Sequence, residues 1–164
     1  MATTDRGSWR ARPLVRGALI AALYVALTAA MGPLSFGLPL GPIVIELRVS
    51  EALAVLPVLY AEAVPALFAG VWLANTLGGL GPWDVWGGSL VTLLAAYLTW
   101  RHRRHRLAVL WPVVANGLLV SAYLSRLLGL PYWATAAGIT LSEALVVLGL
   151  GLPLLGLLRR LGPP

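Results

Sequence analysis

The 164-residue sequence has no cysteine and no lysine, and only 11% of its residues are charged. Without cysteine the chain has no disulfide, no thiolate metal site and no cysteine nucleophile. Soluble domains have about 25% charged residues, and a chain this short has much surface for its volume. The hydrophobic fraction of 59% therefore favours a lipid environment and disfavours a soluble enzyme, a disordered segment and a nucleic-acid-binding module.

Six apolar stretches approach the length of about 20 residues that crosses a bilayer. They cover residues 14–31, 43–60, 62–78, 84–100, 107–128 and 132–158. Glycine and proline occupy most of the joints between them, as is typical of turns. We therefore predict an all-α integral membrane protein in which residues 14–158 form a single bundle of six transmembrane helices. Residues 1–13 and 159–164 are the predicted terminal segments.

The arginines support an even number of spans. Ten of the 12 arginines precede or begin the first stretch, lie between the fourth and fifth stretches, or follow the sixth. With six spans all three groups fall on one side, which is the cytoplasmic side by the positive-inside rule. Both termini are then predicted to be cytoplasmic. Arg48 and Arg126 fall towards the outer side and need local partners.

Charged residues inside the apolar stretches are the strongest functional signal. A charge within a span costs about 2.5–3.5 kcal/mol on insertion scales, so it usually faces a cavity or a partner. Glu143 lies about 11 residues into the sixth stretch, with no cation near it in the sequence. Arg48 has Glu46, Glu51 or another helix as its possible partner. Each of these residues is either a binding residue or a member of an ion pair that fixes helix packing.

Other polar and aromatic residues have two interpretations as well. Asp84 begins the fourth stretch, where an acid favours a helix N-terminus. Asn75 and Asn116 suit either hydrogen bonds between helices or a ligand. Trp83 and Trp86 near the outer joints suit either an interfacial belt or a stacking wall for a planar ligand.

Small residues recur at intervals of four along the first stretch. They are Ala18, Ala22, Ala26 and Ala30. Small residues at this spacing let helices approach closely, so the stripe is either a chance result of alanine abundance or a docking surface, within the bundle or for another membrane protein. Residues 50–56 (SEALAVL) and 142–148 (SEALVVL) are also similar. The abundance of alanine, leucine and valine is enough to explain this echo.

The sequence contains no Ser/His/Asp set, no P-loop and no HExxH motif, so it indicates no hydrolytic chemistry. It contains instead an ordered series of segments: 45–53 (IELRVSEAL), 56–57 (LP), 73–75 (LAN), 84–90 (DVWGGSL), 92–98 (TLLAAYL), 116–117 (NG) and 142–144 (SEA). Together these segments resemble the QueT family, and the resemblance covers residues 14–158. Glu46 departs from the pattern, since glutamine is more usual there.

The resemblance implies a substrate-binding S component of an energy-coupling factor (ECF) transporter for queuosine precursors. Such a protein is a six-helix, multi-pass protein of the bacterial plasma membrane with an outward-facing pocket. The resemblance also implies a transmembrane T component and two cytoplasmic ATPases as partners. It implies no cofactor, metal or nucleic acid. ATP hydrolysis by the partners drives transport as the S component topples, so the chain itself is not an enzyme. The alanine stripe would then contact the T component.

A queuosine precursor resembles 7-deazaguanine with a small substituent, either an aminomethyl cation or a neutral nitrile. Carboxylates accept its N–H groups, Arg48 or Asn75 donates to its ring carbonyl, and tryptophans stack on it. The expected substrate-binding residues are Arg48, Glu51, Asn75, Trp83, Asp84, Trp86, Asn116 and Glu143. The alternatives are an S component for another vitamin or nucleobase-like ligand, and a structural membrane protein without transport activity.

Overall fold

The computed structural model describes the backbone of residues 6–161 and the side chains of residues 12–161. Most of this part of the chain is helical, as the apolar stretches predict. The predicted terminal segments 1–13 and 159–164 lie partly outside the described residues. The placement of both termini in the cytoplasm stays a prediction.

Six helical segments follow one another along the described chain. They are α1 (Arg6–Met31, continuing into a 3₁₀ turn at Gly32–Phe36), a 3₁₀ helix (Val49–Val58), α2 (Ala63–Leu77), α3 (Ser89–Arg101, preceded by a π-helical turn at Trp83–Gly88), α4 (Arg106–Leu128) and α5 (Tyr132–Arg160). Between α1 and the 3₁₀ helix, strands β1 (Leu38–Leu40) and β2 (Ile43–Ile45) form an antiparallel hairpin. The fold is that of a predominantly helical membrane protein.

Three of the described helices are long and apolar enough to cross a membrane: Arg12–Phe36, Arg106–Leu128 and Tyr132–Arg160. The predicted second span differs most from the structure, since Ile43–Ile45 form β2, residues 46–48 are irregular and Val49–Val58 form the 3₁₀ helix. A 3₁₀ helix rises about 2.0 Å per residue, so this ten-residue segment extends about 20 Å, less than a hydrocarbon core of about 30 Å. The backbone is not helical from Glu46 to Arg48, just before the 3₁₀ helix begins. The side chains of these two residues have polar partners there.

The 3₁₀ helix is the centre of the bundle, and its residues Ser50 to Pro57 are all buried. Leu53 and Leu56 pack in a cluster with residues of α1, α2 and α3. Val55 packs in a second cluster with residues of α4 and α5. The two halves of the bundle therefore close around this segment, and a polar side chain on it is held in the interior.

Helices α1 and α2 pack closely through small residues. A Cβ atom added at Gly70 of α2 would lie 2.9 Å from the Cβ of Tyr24 on α1, which is fully buried. A Cβ at Gly17 would lie 3.8 Å from the Cβ of Ala66. Small residues thus allow the close approach that membrane helices use in packing, and in α2 they serve contacts within the bundle.

The two ends of the bundle differ in character. At one end Arg16 of α1 forms an ion pair of 2.9 Å with Glu62, at the start of α2. At the other end the β hairpin lies against α5. There the carbonyl of Val44 occupies the space that a Cβ atom at Gly138 would need. Glycine is therefore required at this contact. The candidate site lies at the hairpin end.

Candidate functional site

Polar side chains that are far apart in the sequence line one cavity at the hairpin end. Six of the eight predicted substrate-binding residues belong to it: Arg48, Glu51, Asn75, Asp84, Asn116 and Glu143. All of them except Asp84 are buried. Polar groups that are costly in an apolar bundle thus lie around a shared space, where they can interact with one another and with a ligand.

Arg48 is held by two contacts just before the 3₁₀ helix. Its guanidinium forms an ion pair of 2.7 Å with Glu46, and its Nε donates a hydrogen bond of 2.9 Å to the carbonyl of Ser35. Of the partners that the sequence allowed for Arg48, the structure shows Glu46 as its ion-pair partner. Because both side chains are mostly buried, this pair fixes the non-helical backbone that leads into the cavity.

Glu51 lies on the first turn of the 3₁₀ helix and is 3% exposed. The hydroxyl of Tyr24 donates a hydrogen bond to its Oε1. Its Oε2 is buried and has no hydrogen-bond partner among the described residues. A buried carboxylate oxygen without a donor is costly, so this atom marks a place where a ligand's N–H group would be favourable.

Hydroxyl groups hold this side of the cavity in place. Thr28 and Ser50 share a hydrogen bond of 2.7 Å between their hydroxyls, and Ser35 donates to the carbonyl of Thr28 at 3.0 Å. All three are fully or almost fully buried. They connect α1 and the turn that follows it to the 3₁₀ helix at Ser50, the residue before Glu51.

The opposite wall is formed by α4 and α5. Asn116 donates from Nδ2 to the Oε1 of Glu143 at 2.9 Å, and Glu143 is 5% exposed. Asn116 begins a π-helical turn, Asn116–Val120, a feature that is frequent at functional sites. The neighbouring Ser142 accepts a hydrogen bond of 3.3 Å from the backbone N–H of Glu46. The glutamates of both echoed segments, Glu51 and Glu143, thus line the same cavity.

The third wall lies where α2 meets the turn before α3. Asn75 donates from Nδ2 to the carbonyl of Asp84 at 2.7 Å, while its Oδ1 is buried without a partner among the described residues. The carboxylate of Asp84 accepts a hydrogen bond of 3.1 Å from the hydroxyl of Tyr123. Asn75 therefore contributes a second acceptor that a ligand donor would satisfy.

The predicted stacking residues are placed differently. Trp83 and Trp86 are 62% and 55% exposed, and neither lines the cavity. Trp86 packs edge-on against Trp72, with their ring centroids 5.9 Å apart. The structure therefore does not bring Trp83 and Trp86 to the acids of the cavity. Phe36 and Tyr123 are the aromatic residues of the cavity wall. Neither was among the predicted binding residues. The signal in the sequence was limited to the position of Phe36 between the Gly32-Pro33 and Gly41-Pro42 dipeptides.

The free space in the cavity is small. The volume open to the centres of water molecules is about 30 Å³, which is enough for about two of them. A bicyclic ligand therefore requires the walls to move apart. Phe36 also lines an adjoining, mainly apolar cleft of about 200 Å³ between α1 and α2, so movement of its ring would join the two spaces.

The cavity's chemistry is that of hydrogen-bond acceptors and negative charge. Carboxyl groups from Glu46, Glu51, Asp84 and Glu143 line it, against the single guanidinium of Arg48. Within the described part of the chain, no group of three His, Asp or Glu side chains is close enough to hold a metal ion. This arrangement can accept hydrogen bonds from a small molecule that carries N–H or O–H donors.

The alanines of the first stretch lie on the outer surface of α1. Ala18, Ala22, Ala26 and Ala30 are all exposed, and so are the adjacent Leu19 and Leu23. The stripe is therefore not used in packing within the described bundle. This contrasts with the small residues of α2, which face α1.

A helical membrane bundle with a buried polar cavity and apolar outer faces has the architecture of a small-molecule transport protein. A family model described as QueT transporter matches residues 14–160, and the chain belongs to this family. The resemblance found in the sequence is thereby confirmed, and the chain is a transporter protein of the membrane. No curated protein and no solved structure matches the chain.

Proposed function

We propose that this chain is the substrate-binding S component of an ECF-type importer and that its ligand is a queuosine precursor, a 7-deazaguanine derivative. The observation that carries the proposal is the unpartnered Oε2 of Glu51, in a cavity of a protein that belongs to the QueT transporter family. A guanine-like edge has adjacent N–H donors, and a carboxylate accepts such donors with good geometry.

Each wall has a role in the proposed complex. Glu51 and Asn75 supply the unpartnered acceptor atoms and take N–H donors of the base. Arg48 donates to the ring carbonyl while it keeps its ion pair with Glu46. The ring lies against Phe36 or Tyr123, because these are the aromatic side chains of the cavity wall. Trp83 and Trp86 are left with an interfacial role.

The ligand enters from the outer side of the membrane in this proposal. The cavity lies at the hairpin end, away from the ion pair between Arg16 and Glu62. Binding moves the ring of Phe36 towards the adjoining cleft and enlarges the polar space. The arginine-rich loop of residues 101–106 and both termini then face the cytoplasm of a bacterial cell, as the positive-inside rule predicts.

The partners would be a transmembrane T component and two ATPases, which supply the energy that this chain does not release itself. The exposed alanine stripe on α1 is the proposed contact with the T component. A flat strip of small residues lets a second helix come close. A bulky side chain at its centre would separate the two helices without reaching the cavity, since Ala22 is exposed and Glu51 is buried.

Affinity purification from bacterial membranes tests the proposal. The wild-type chain should co-purify with a membrane partner and two ATPase subunits, and it should bind 7-aminomethyl-7-deazaguanine in calorimetry. Ala22→Trp should lose the partners and keep the ligand. Leu118→Trp is the matched control, because Leu118 is also exposed, on α4, and should keep both. An unaltered complex with Ala22→Trp refutes the docking surface, and a lack of binding to any 7-deazaguanine refutes the proposed ligand.

A further inference from the structure

The charges around the cavity do not balance. Four carboxyl groups and one guanidinium line it, which is a formal excess of three negative charges. Glu46 has the guanidinium of Arg48 as its counter-charge at 2.7 Å. The remaining acids, Glu51, Asp84 and Glu143, have no ion-pair partner among the described residues.

The buried acids have neutral partners instead. Glu51 accepts from the hydroxyl of Tyr24, and Glu143 accepts from the amide of Asn116. Both carboxyl groups are at least 95% buried. A neutral donor replaces only part of the hydration that a carboxylate loses on burial, so an uncompensated buried charge is strongly unfavourable. A cation in the cavity would remove this penalty.

Glu143 is the acid in greater need of a cation. Glu51 lies three residues after Arg48, and its backbone N–H donates a hydrogen bond of 2.9 Å to the carbonyl of Arg48. Glu143 lies on α5, and its hydrogen-bond partner among the described residues is the uncharged amide of Asn116. Glu51 therefore already has a cation nearby, whereas the α5 side of the cavity has only acids and an amide.

We propose that the ligand carries a positive charge on an N–H-bearing group and that Glu143 receives this group. The proposal rests on the proposed function and refines it: the site selects a precursor with an aminomethyl ammonium over one with a neutral nitrile. An ammonium donates three hydrogen bonds and forms charge-assisted bonds with a carboxylate, about twice as strong as neutral ones. A nitrile has no N–H donor and leaves the acids uncompensated.

Calorimetry with two matched ligands tests this inference. The wild-type protein in lipid nanodiscs is titrated with 7-aminomethyl-7-deazaguanine and with 7-cyano-7-deazaguanine, and the ratio of the two Kd values is the readout. The expected ratio favours the aminomethyl ligand by about tenfold or more, as a charge-assisted bond implies. Glu143→Gln should bring the ratio close to one, while Glu51→Gln should weaken both ligands and keep most of the ratio.

Glu62→Gln is the matched control, because Glu62 pairs with Arg16 at the other end of the bundle. It should keep the wild-type ratio. Measurable nitrile binding by Glu143→Gln shows that this variant is folded. Equal or tighter binding of the nitrile by the wild-type protein overturns the cation preference and leaves the proposed function intact. A preference that persists in Glu143→Gln overturns the role of Glu143. Failure of both ligands overturns the proposed function, and this inference with it.

Discussion

Replacing Glu51 by glutamine separates ligand recognition from stability. The substitution keeps the size of the side chain and an oxygen that accepts from Tyr24, but it removes the charge and turns one acceptor into an N–H₂ donor. Among the described residues Oε2 of Glu51 is buried without a partner, so an N–H group of the ligand would be its donor. In the variant, the amide N–H₂ at the position of Oε2 would face the N–H group of the ligand, so that two donors would oppose each other.

The expected loss of ligand affinity in Glu51→Gln follows from the strength of one hydrogen bond to a charged group, about 1.5–3 kcal/mol. Because about 1.4 kcal/mol corresponds to a tenfold change in affinity, Kd for 7-aminomethyl-7-deazaguanine should rise about 10- to 150-fold. The thermal midpoint of the ligand-free protein should stay the same or increase, since a buried charge without its own counter-ion has been removed. Calorimetry and thermal unfolding in the same nanodiscs measure both quantities.

An unchanged Kd would refute the assignment of Glu51 as an acceptor for the ligand. A large fall in the thermal midpoint would show instead that the charge stabilises the bundle. Glu62→Gln is the comparison, because it also removes one acid. Glu62 pairs with Arg16 at the end of the bundle away from the cavity. This variant should leave Kd at its wild-type value.

Three further predictions concern packing and charge. Gly70→Ala should destabilise the protein by about 1–3 kcal/mol in thermal unfolding, as overpacking does, because its Cβ would lie 2.9 Å from a buried side chain's Cβ. Arg48→Met should cost about 3–5 kcal/mol by leaving a buried acid unpaired, and adding Glu46→Gln should restore most of this stability. Phe36→Leu should raise the ligand's Kd about two- to tenfold in calorimetry, as loss of an aromatic contact of about 0.5–1.5 kcal/mol implies.

Each of these predictions has its own control. Gly149→Ala places a methyl group in open space on α5 and should not change stability, so equal effects at both glycines would contradict the packing argument. Failure of the double variant to recover would show that Arg48 stabilises the fold through Ser35 rather than through its charge partner. A Phe36→Leu variant with wild-type affinity would remove Phe36 from the proposed stacking contact.

Much of the candidate site was predictable from the cost of polar groups in apolar stretches. Glu51, Asn75 and Glu143 each interrupt an apolar run, and such groups gather around a cavity or a partner wherever helices allow it. This cost does not depend on which helices are neighbours. The six predicted residues that line the cavity come from five separate segments, although the sequence provides no distance between them.

The aromatic wall was not predictable in the same way. A tryptophan suits the membrane interface as well as a binding wall, so Trp86 could not be assigned from its position near a joint. Tyr24 and Tyr123 reach the acids only because of the rotation of α1 and α4 about their axes, which depends on packing such as that at Gly70. No local sequence pattern contains this rotation.

The departure from six regular α-helices has a physical cause as well. A window of apolar residues does not distinguish an α-helix from a 3₁₀ helix, since both bury their side chains. Glu46 and Arg48 favour a non-helical backbone because their contacts reach Ser35 and Ser142 on other segments. The sequence placed charges at this point, but the partners that decide the backbone path are distant along the chain.

Mass spectrometry of small molecules released from gently purified protein tests the central claim most directly. If buried acids surround a site for a donor-rich cargo, the wild-type protein should release a nitrogen-rich bicyclic base bearing a primary amine. The Glu51→Gln protein, purified in parallel, should release much less of it. Retention of lipid alone by both proteins, under conditions where added 7-aminomethyl-7-deazaguanine also fails to remain bound, would contradict the account.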